Sequence, residues 1–204
     1  MQKIILASNN QGKLTEFQSL FDDADLGIQI ISQGELGIDD AVEDGLSFVE
    51  NAIIKARHAS AKSGLPAMAD DSGLCVPVLG NLPGIYSARY ASLDGMGEKG
   101  DDLANNKRLL AELTPYFDKG ETVEGIFVCL LAFVRHKDDP LPVIAQGLWR
   151  GQILSAPKGD YGFGYDPLFW LPHLGKSSAE LSKDEKNAIS HRGQAMKTLI
   201  EQLL

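Results

Sequence analysis

The chain has 204 residues, 44% of them apolar and 23% charged, which is ordinary for a globular protein and long enough for one sizeable domain spanning 1–204. The formal net charge of −9 excludes a broad nucleic-acid-binding face, so an anionic ligand needs a local cluster of Lys and Arg or a metal ion. No run reaches the roughly 18 apolar residues that cross a bilayer, and the N-terminus lacks a secretory leader's apolar stretch, so a cytoplasmic location and no membrane partner are expected.

Residues 3–7 read as a buried strand, followed by a cap-rich turn from Ser8 to Gly12. Leu14, Phe17, Leu20 and Phe21 then recur at helical spacing. Residues 28–31 read as a second strand. Ser47 and Glu50 have the form of a capping box opening a helix with Val49, Ala52, Ile53 and Ala56 on one face, which should end near Gly64 before Pro66. Residues 67–69 form a short apolar strand running into a glycine turn at 70–73. Asp101 and Asp102 can cap a helix that uses Leu103, Leu110 and Leu113. The apolar run 123–134 reads as a central strand, and 143–153 as its return after a turn at 136–142. Ser182 and Glu185 repeat the capping-box form, and Ala195, Leu199 and Leu203 mark a C-terminal amphipathic helix. Helical crossovers mixed with a long hairpin predict an α/β fold with a mixed sheet. Cys75 and Cys129 stand in apolar surroundings outside any metal-ligand spacing and read as buried thiols.

Five segments carry chemistry. A strand, a small polar turn and Lys13 at a helix start form an anion site, because free helix N–H groups and a full charge converge there; taken alone, an ordinary cap is the simpler reading. Asp70 and Asp71 repel each other unless a cation compensates, so their place at a core edge suits Mg²⁺, which takes one or two carboxylates with phosphate oxygens and waters. Glu43 lies in an acidic loop that, taken alone, reads as a solvated face, and Lys55 reads first as a surface lysine. In 159–167, glycines alternate with aromatics, which suits either two rings around a nucleobase or a tight turn packed on the core. Lys183, Lys186, His191 and Arg192 crowd cationic groups into an otherwise acidic chain, and His191 beside Arg192 makes a donor pair for a carbonyl.

Six motifs together resemble the inosine/xanthosine triphosphate pyrophosphatase family: ASNNQGK at 7–13, FVENAIIKAR at 48–57, ADDSGL at 69–74, PGIYSAR at 83–89, GFGYDP at 162–167 and SHRG at 190–193. The resemblance implies an elongated mixed sheet with flanking helices forming two lobes around a central substrate cleft, and a homodimer. It implies hydrolysis of noncanonical purine nucleoside triphosphates (ITP, dITP, XTP) to the monophosphate and pyrophosphate, with Mg²⁺ as cofactor. Asp71 is similar to the catalytic, metal-binding carboxylate, and Glu43 to the second metal ligand. Ser8, Asn9, Asn10, Gln11, Gly12 and Lys13 are similar to the phosphate-side loop, and Lys55 to a triphosphate contact. Ser72, Phe163, Gly164, Tyr165 and Asp166 look like substrate contacts, and Lys186, His191 and Arg192 like base-recognition residues. Asn9 stands where relatives often have Gly, and Tyr165 where some have Trp. The rival readings are a pyrophosphatase for pyrimidine nucleotides and a nucleotide-binding regulator without turnover. The two carboxylates Glu43 and Asp71 count against the regulator, since binding alone does not need them.

Overall fold

In the computed structural model, which describes residues 2–24, 27–95, 98 and 100–203, apolar side chains gather into two clusters, one in each of two compact units. The first unit comprises 1–71, 129–147 and 194–204, and the second 72–128 and 148–193.

In the first unit, β1 (Gln2–Leu6) buries Ile4, Ile5 and Leu6, as a strand covered on both faces must. It pairs in parallel with β2 (Ile28–Ser32), Ile4 opposite Ile30, so the chain between them has to cross over. That crossover is α1 (Gln11–Asp23), whose Leu14, Phe17, Leu20 and Phe21 stripe packs on the core as the spacing predicts. Helix α2 (Phe48–Ser63) starts at Ser47 and ends at Gly64, whose φ of 71° glycine adopts without a Cβ clash. It turns Ala52, Ala56 and Ala59 inward, while Val49 and Ile53 are only half-buried. Ser47 accepts the Glu50 N–H, but Glu50 answers to the Leu46 N–H and the Ser47 hydroxyl, so the expected reciprocal box is displaced by one residue.

β3 (Ala67–Val76) corrects the expected turn at 70–73: it runs on as strand because Leu74 and Val76 continue into the core of the second unit. Asp70 and Asp71 are therefore neighbours inside a strand, with side chains on opposite faces. β5 (Val123–Val134) and β6 (Val143–Ile153) occupy the predicted positions and contribute to both units. Strand order in the first unit is β2-β1-β3-β5-β6, and α5 (His191–Leu203) places Ala195, Met196 and Leu199 in that unit's core.

The second unit orders its strands β3-β5-β6-β7-β8, with β4 (Leu82–Pro83) antiparallel to the end of β3. The short strands β7 (Phe169–Leu171) and β8 (Lys176–Ser177) extend the sheet antiparallel beyond β6. Parallel and antiparallel pairs together make the sheet mixed, with helices flanking it. α3 (Asp102–Phe117) starts at Asp101, which accepts the Ala104 N–H at 2.9 Å. It buries Leu109 and Leu113, while Leu103 is 83% exposed, contrary to expectation, because it lies in the first turn on the outer side. α4 (Lys183–Ile189) carries the full reciprocal box of Ser182 and Glu185, as read from sequence. Among the described residues no helix is long and apolar enough to cross a membrane.

Candidate active site

The first unit holds a group of lysines and carboxylates. The turn after β1 closes on itself: Ser8 Oγ accepts the Asn10 N–H, and Asn10 Oδ1 accepts the Lys13 N–H at 3.1 Å. Gln11 and Gly12 thereby open α1, where first-turn N–H groups have no helical acceptor. Asn9 donates to Asp40 Oδ1 at 3.2 Å, which ties this turn to the acidic loop. Lys13 reaches across to Asp70, 2.7 and 2.9 Å from its two oxygens.

On the other face of β3, Asp71 Oδ1 accepts from Lys55 Nζ at 2.8 Å, and Glu43 Oε2 lies 3.6 Å from the same nitrogen. Lys55 is therefore not the surface lysine the helix pattern suggested. The loop bearing Glu43 is anchored by Asn51, whose Oδ1 accepts the Gly45 N–H at 2.9 Å. Burial pushes Asp71 above the ordinary aspartate range; Lys55 opposes this, while Glu43 and Asp70 add to it. Burial alone would lower Lys55, but Asp71, Asp70 and Glu43 outweigh it and raise it. Glu43, Asp70 and Asp71 thus act on both groups, raising the Lys55 ammonium by attraction and adding to the effect of burial on Asp71 by repulsion.

The gathering of these carboxylates, and one atom, fit a divalent cation. Asp71 Oδ2 is buried without a hydrogen-bond partner among the described residues, and an anionic oxygen left so is a ready ligand. Among the described residues no three His, Cys, Asp or Glu side chains are grouped for a metal. Such a trio is not needed for Mg²⁺, which binds through one or two carboxylates and fills its shell with phosphate oxygens and water.

The second unit holds a group of aromatic and cationic side chains. Phe163 is 60% exposed, with Lys186 Nζ at 5.1 Å and Arg192 Cζ at 5.8 Å from its ring centre. Tyr165 does not share that face. It is only 4% exposed, packs in the core and donates its hydroxyl to Ser87 O at 2.9 Å; burial pushes that hydroxyl's pKa far up. A clamp made of these two rings is therefore not formed. Gly162 is required by its surroundings: at φ 83°, a Cβ there would collide with Asp166 Oδ2. Asp166 is buried with both oxygens engaged, by the Phe163 N–H at 2.9 Å, Ser178 Oγ at 2.9 Å and Lys186 Nζ at 2.5 Å.

His191 and Arg192 are both buried at the start of α5. The imidazole stacks on Phe127 at 4.8 Å and 9°, and on Trp149 at 6.2 Å. Ser72 follows Asp71 in β3 and is half-buried. Two residues that sequence reasoning passed over also reach this unit's group: Asp102 accepts the Gly164 N–H at 2.7 Å and Asn106 donates to Gly164 O at 2.9 Å. The available signal was the pair Asn105-Asn106 inside a helix, where asparagine is a poor helix former.

Comparison with known proteins adds a second line of evidence. A model of the Ham1 family matches residues 4–202. A dITP/XTP pyrophosphatase of Acinetobacter baumannii (strain ACICU) is 66% identical over 200 residues, covering 98% of this chain and 94% of its own length. A protein of the same name from Ralstonia nicotianae is 58% identical over 203 residues, covering 100% of this chain and 97% of its own. Among solved structures, a HAM1 protein from Coxiella burnetii matches with a TM-score of 0.91 at 45% identity, covering 100% of this chain and 98% of that one.

Proposed function

We infer that this chain, which belongs to the Ham1 family, hydrolyses noncanonical purine nucleoside triphosphates (ITP, dITP and XTP) to the monophosphate and pyrophosphate. The substrate class is supported by the dITP/XTP pyrophosphatase relatives at 58–66% identity. The observation that carries the chemistry is the Lys55 ammonium held against Asp71 and Glu43 beside a buried, unpartnered carboxylate oxygen.

Glu43 and Asp71 would hold Mg²⁺, which when bound offsets charge on the phosphate oxygens. The rest is done by the chain's own side chains. Lys13 and Lys55 each carry three N–H donors, so each can keep its aspartate and still reach a phosphate oxygen. Asp71 is the base and takes a proton from water as the water oxygen bonds the α-phosphorus. The bond from that phosphorus to the α,β-bridging oxygen breaks, and pyrophosphate leaves with its charge met by the lysines. The turn from Ser8 to Gly12 offers helix N–H groups to the phosphates, and Ser72 lies next to the reacting carboxylate.

Phe163 supplies a stacking face for the base, while Lys186, His191 and Arg192 supply donors to its carbonyl oxygens. Gly164, Tyr165 and Asp166 serve substrate from behind, as supports that fix the loop beside the ring. We assign the protein to the cytoplasmic nucleotide pool as a homodimer, which light scattering tests. The decisive experiment is pyrophosphate release from ITP, XTP, GTP and ATP with and without Mg²⁺. Release from ITP and XTP only with Mg²⁺ is expected; equal turnover of ATP, or undiminished turnover in EDTA, would overturn the substrate or the metal assignment.

A further inference from the structure

We propose that Asp102 and Asn106 are positioning residues for base recognition, acting through Phe163; the proposal rests on the reading of the site above. They lie four residues apart on α3, and so on one helix face. From that face Asp102 Oδ2 takes the N–H of Gly164 at 2.7 Å and Asn106 Nδ2 gives a hydrogen bond to its carbonyl at 2.9 Å. Both polar groups of one residue are thus gripped by a single helix, across 62 and 58 residues of sequence.

The grip falls where the loop has least rigidity of its own. Phe163 stands between Gly162 and Gly164, which have φ of 83° and 61°. Glycine loses more backbone freedom on ordering than any other residue. The ring is 60% exposed, with Lys186 and Arg192 beside it, so its place depends on how its backbone is held. Asp166 holds the N–H of Phe163 itself, and Asp102 with Asn106 holds the next residue. The ring is thereby fixed from both sides before any ligand arrives, and a preformed surface binds without first being ordered.

Stability does not account for Asn106. Its Oδ1 is buried without a partner among the described residues, and an unsatisfied buried acceptor opposes folding by at least as much as one neutral hydrogen bond favours it. The amide is useful for what it holds, the Gly164 carbonyl.

The test is a double-mutant cycle between Asn106→Ala and Phe163→Ala, read as KM and kcat for ITP and, independently of turnover, as the Kd of IMP by calorimetry. Asn106→Ala alone should raise KM and Kd by up to about the tenfold expected for losing the ring itself, with kcat changed by less than about twofold. In the Phe163→Ala background the same substitution should shift neither constant, because the group it positions is gone. Equal shifts in both backgrounds, or none in the first, would overturn the proposal. If circular dichroism shows Asn106→Ala unfolded, Asp102→Ala, which removes the acceptor of the Gly164 N–H, takes its place in the cycle under the same criteria. A wild type that binds IMP but releases no pyrophosphate from ITP sinks the assigned reaction and leaves the cycle readable in Kd; a wild type that fails to bind IMP overturns both.

Discussion

Lys55 and Lys186 are both largely buried lysines bound to an aspartate, at 2.8 and 2.5 Å, yet their surroundings have opposite character. Around Lys55 stand Asp71, Glu43 and Asp70, and one Asp71 oxygen is left over. Around Lys186 there is Asp166, whose oxygens are already used by Phe163, Ser178 and Lys186, together with a ring that also faces Arg192. The first group has acceptor capacity to spare and invites a cation. The second has donors and a π-face and invites a flat, carbonyl-bearing acceptor. Identical lysine–aspartate pairs therefore say little until the remaining valence of each carboxylate is counted.

The sharpest way to break this contrast is to remove Asp71. Asp71→Asn should lower kcat by at least about a hundredfold, the usual range for a lost general base, while IMP binding survives. Retained pyrophosphate release would show that Asp71 is not the reacting carboxylate. Next in size is Arg192→Ala. A guanidinium can only donate, so it bonds the 6-carbonyl of hypoxanthine and leaves the 6-amino group of adenine unpaired. Losing that discrimination, about 1–3 kcal/mol, should narrow the ITP-to-ATP ratio of kcat/KM by roughly ten- to hundredfold. The ITP-to-GTP ratio should change less, since guanine keeps the carbonyl. An unaltered ITP-to-ATP ratio would remove Arg192 from base reading.

Phe163→Ala should raise KM by about tenfold and leave the Mg²⁺ requirement as it is. If KM and kcat both hold, the exposed ring has no substrate on it. The smallest effect is a titration. In the metal-free protein Asp71 should lose its proton above 3.8, the ordinary aspartate value, because burial penalises the charged carboxylate. The ionised group thus subtracts from folding stability above its folded-state pKa, and ceases to as the pH falls through 3.8. Added Mg²⁺ should pull the titration down, since metal and proton compete for the same oxygen. Carbon-detected NMR of the carboxyl would report both; a midpoint unmoved by Mg²⁺ would separate Asp71 from the metal.

Much of this was legible in the residues, and the failures share a cause. The α1 stripe and the 12-residue run of β5 are local patterns of one period, and both elements lie where those patterns put them. Gly73 was read as a turn because glycine usually punctuates, but Leu74 and Val76 had core to fill and the strand continued. The alternation Gly-Phe-Gly-Tyr suggested two rings on one face, which holds only for extended backbone. Positive φ at both glycines turns the chain, and the rings part. Local pattern put Lys55 on the surface, where only the family resemblance gave it a role, and passed over Asn106, because their partners lie 16 and 58 residues away and no local period encodes such a distance.

The first unit draws on 1–71, 129–147 and 194–204, and its core sets Phe17 and Ile30 with Leu131 and Leu199. On the ribosome those pieces appear in that order, at about 5–20 residues per second, so the opening third of the chain waits for the last helix before its core can close. Through that interval the apolar faces of β1 and α1 have no final cover and are open to chaperones or to one another. Trimming the closing helix from its C-terminal end past Leu199 should therefore harm yield and solubility in the cell before it reaches His191 and Arg192, the residues of the helix assigned to substrate. Appending sequence to the N-terminus, by contrast, adds nothing to that wait.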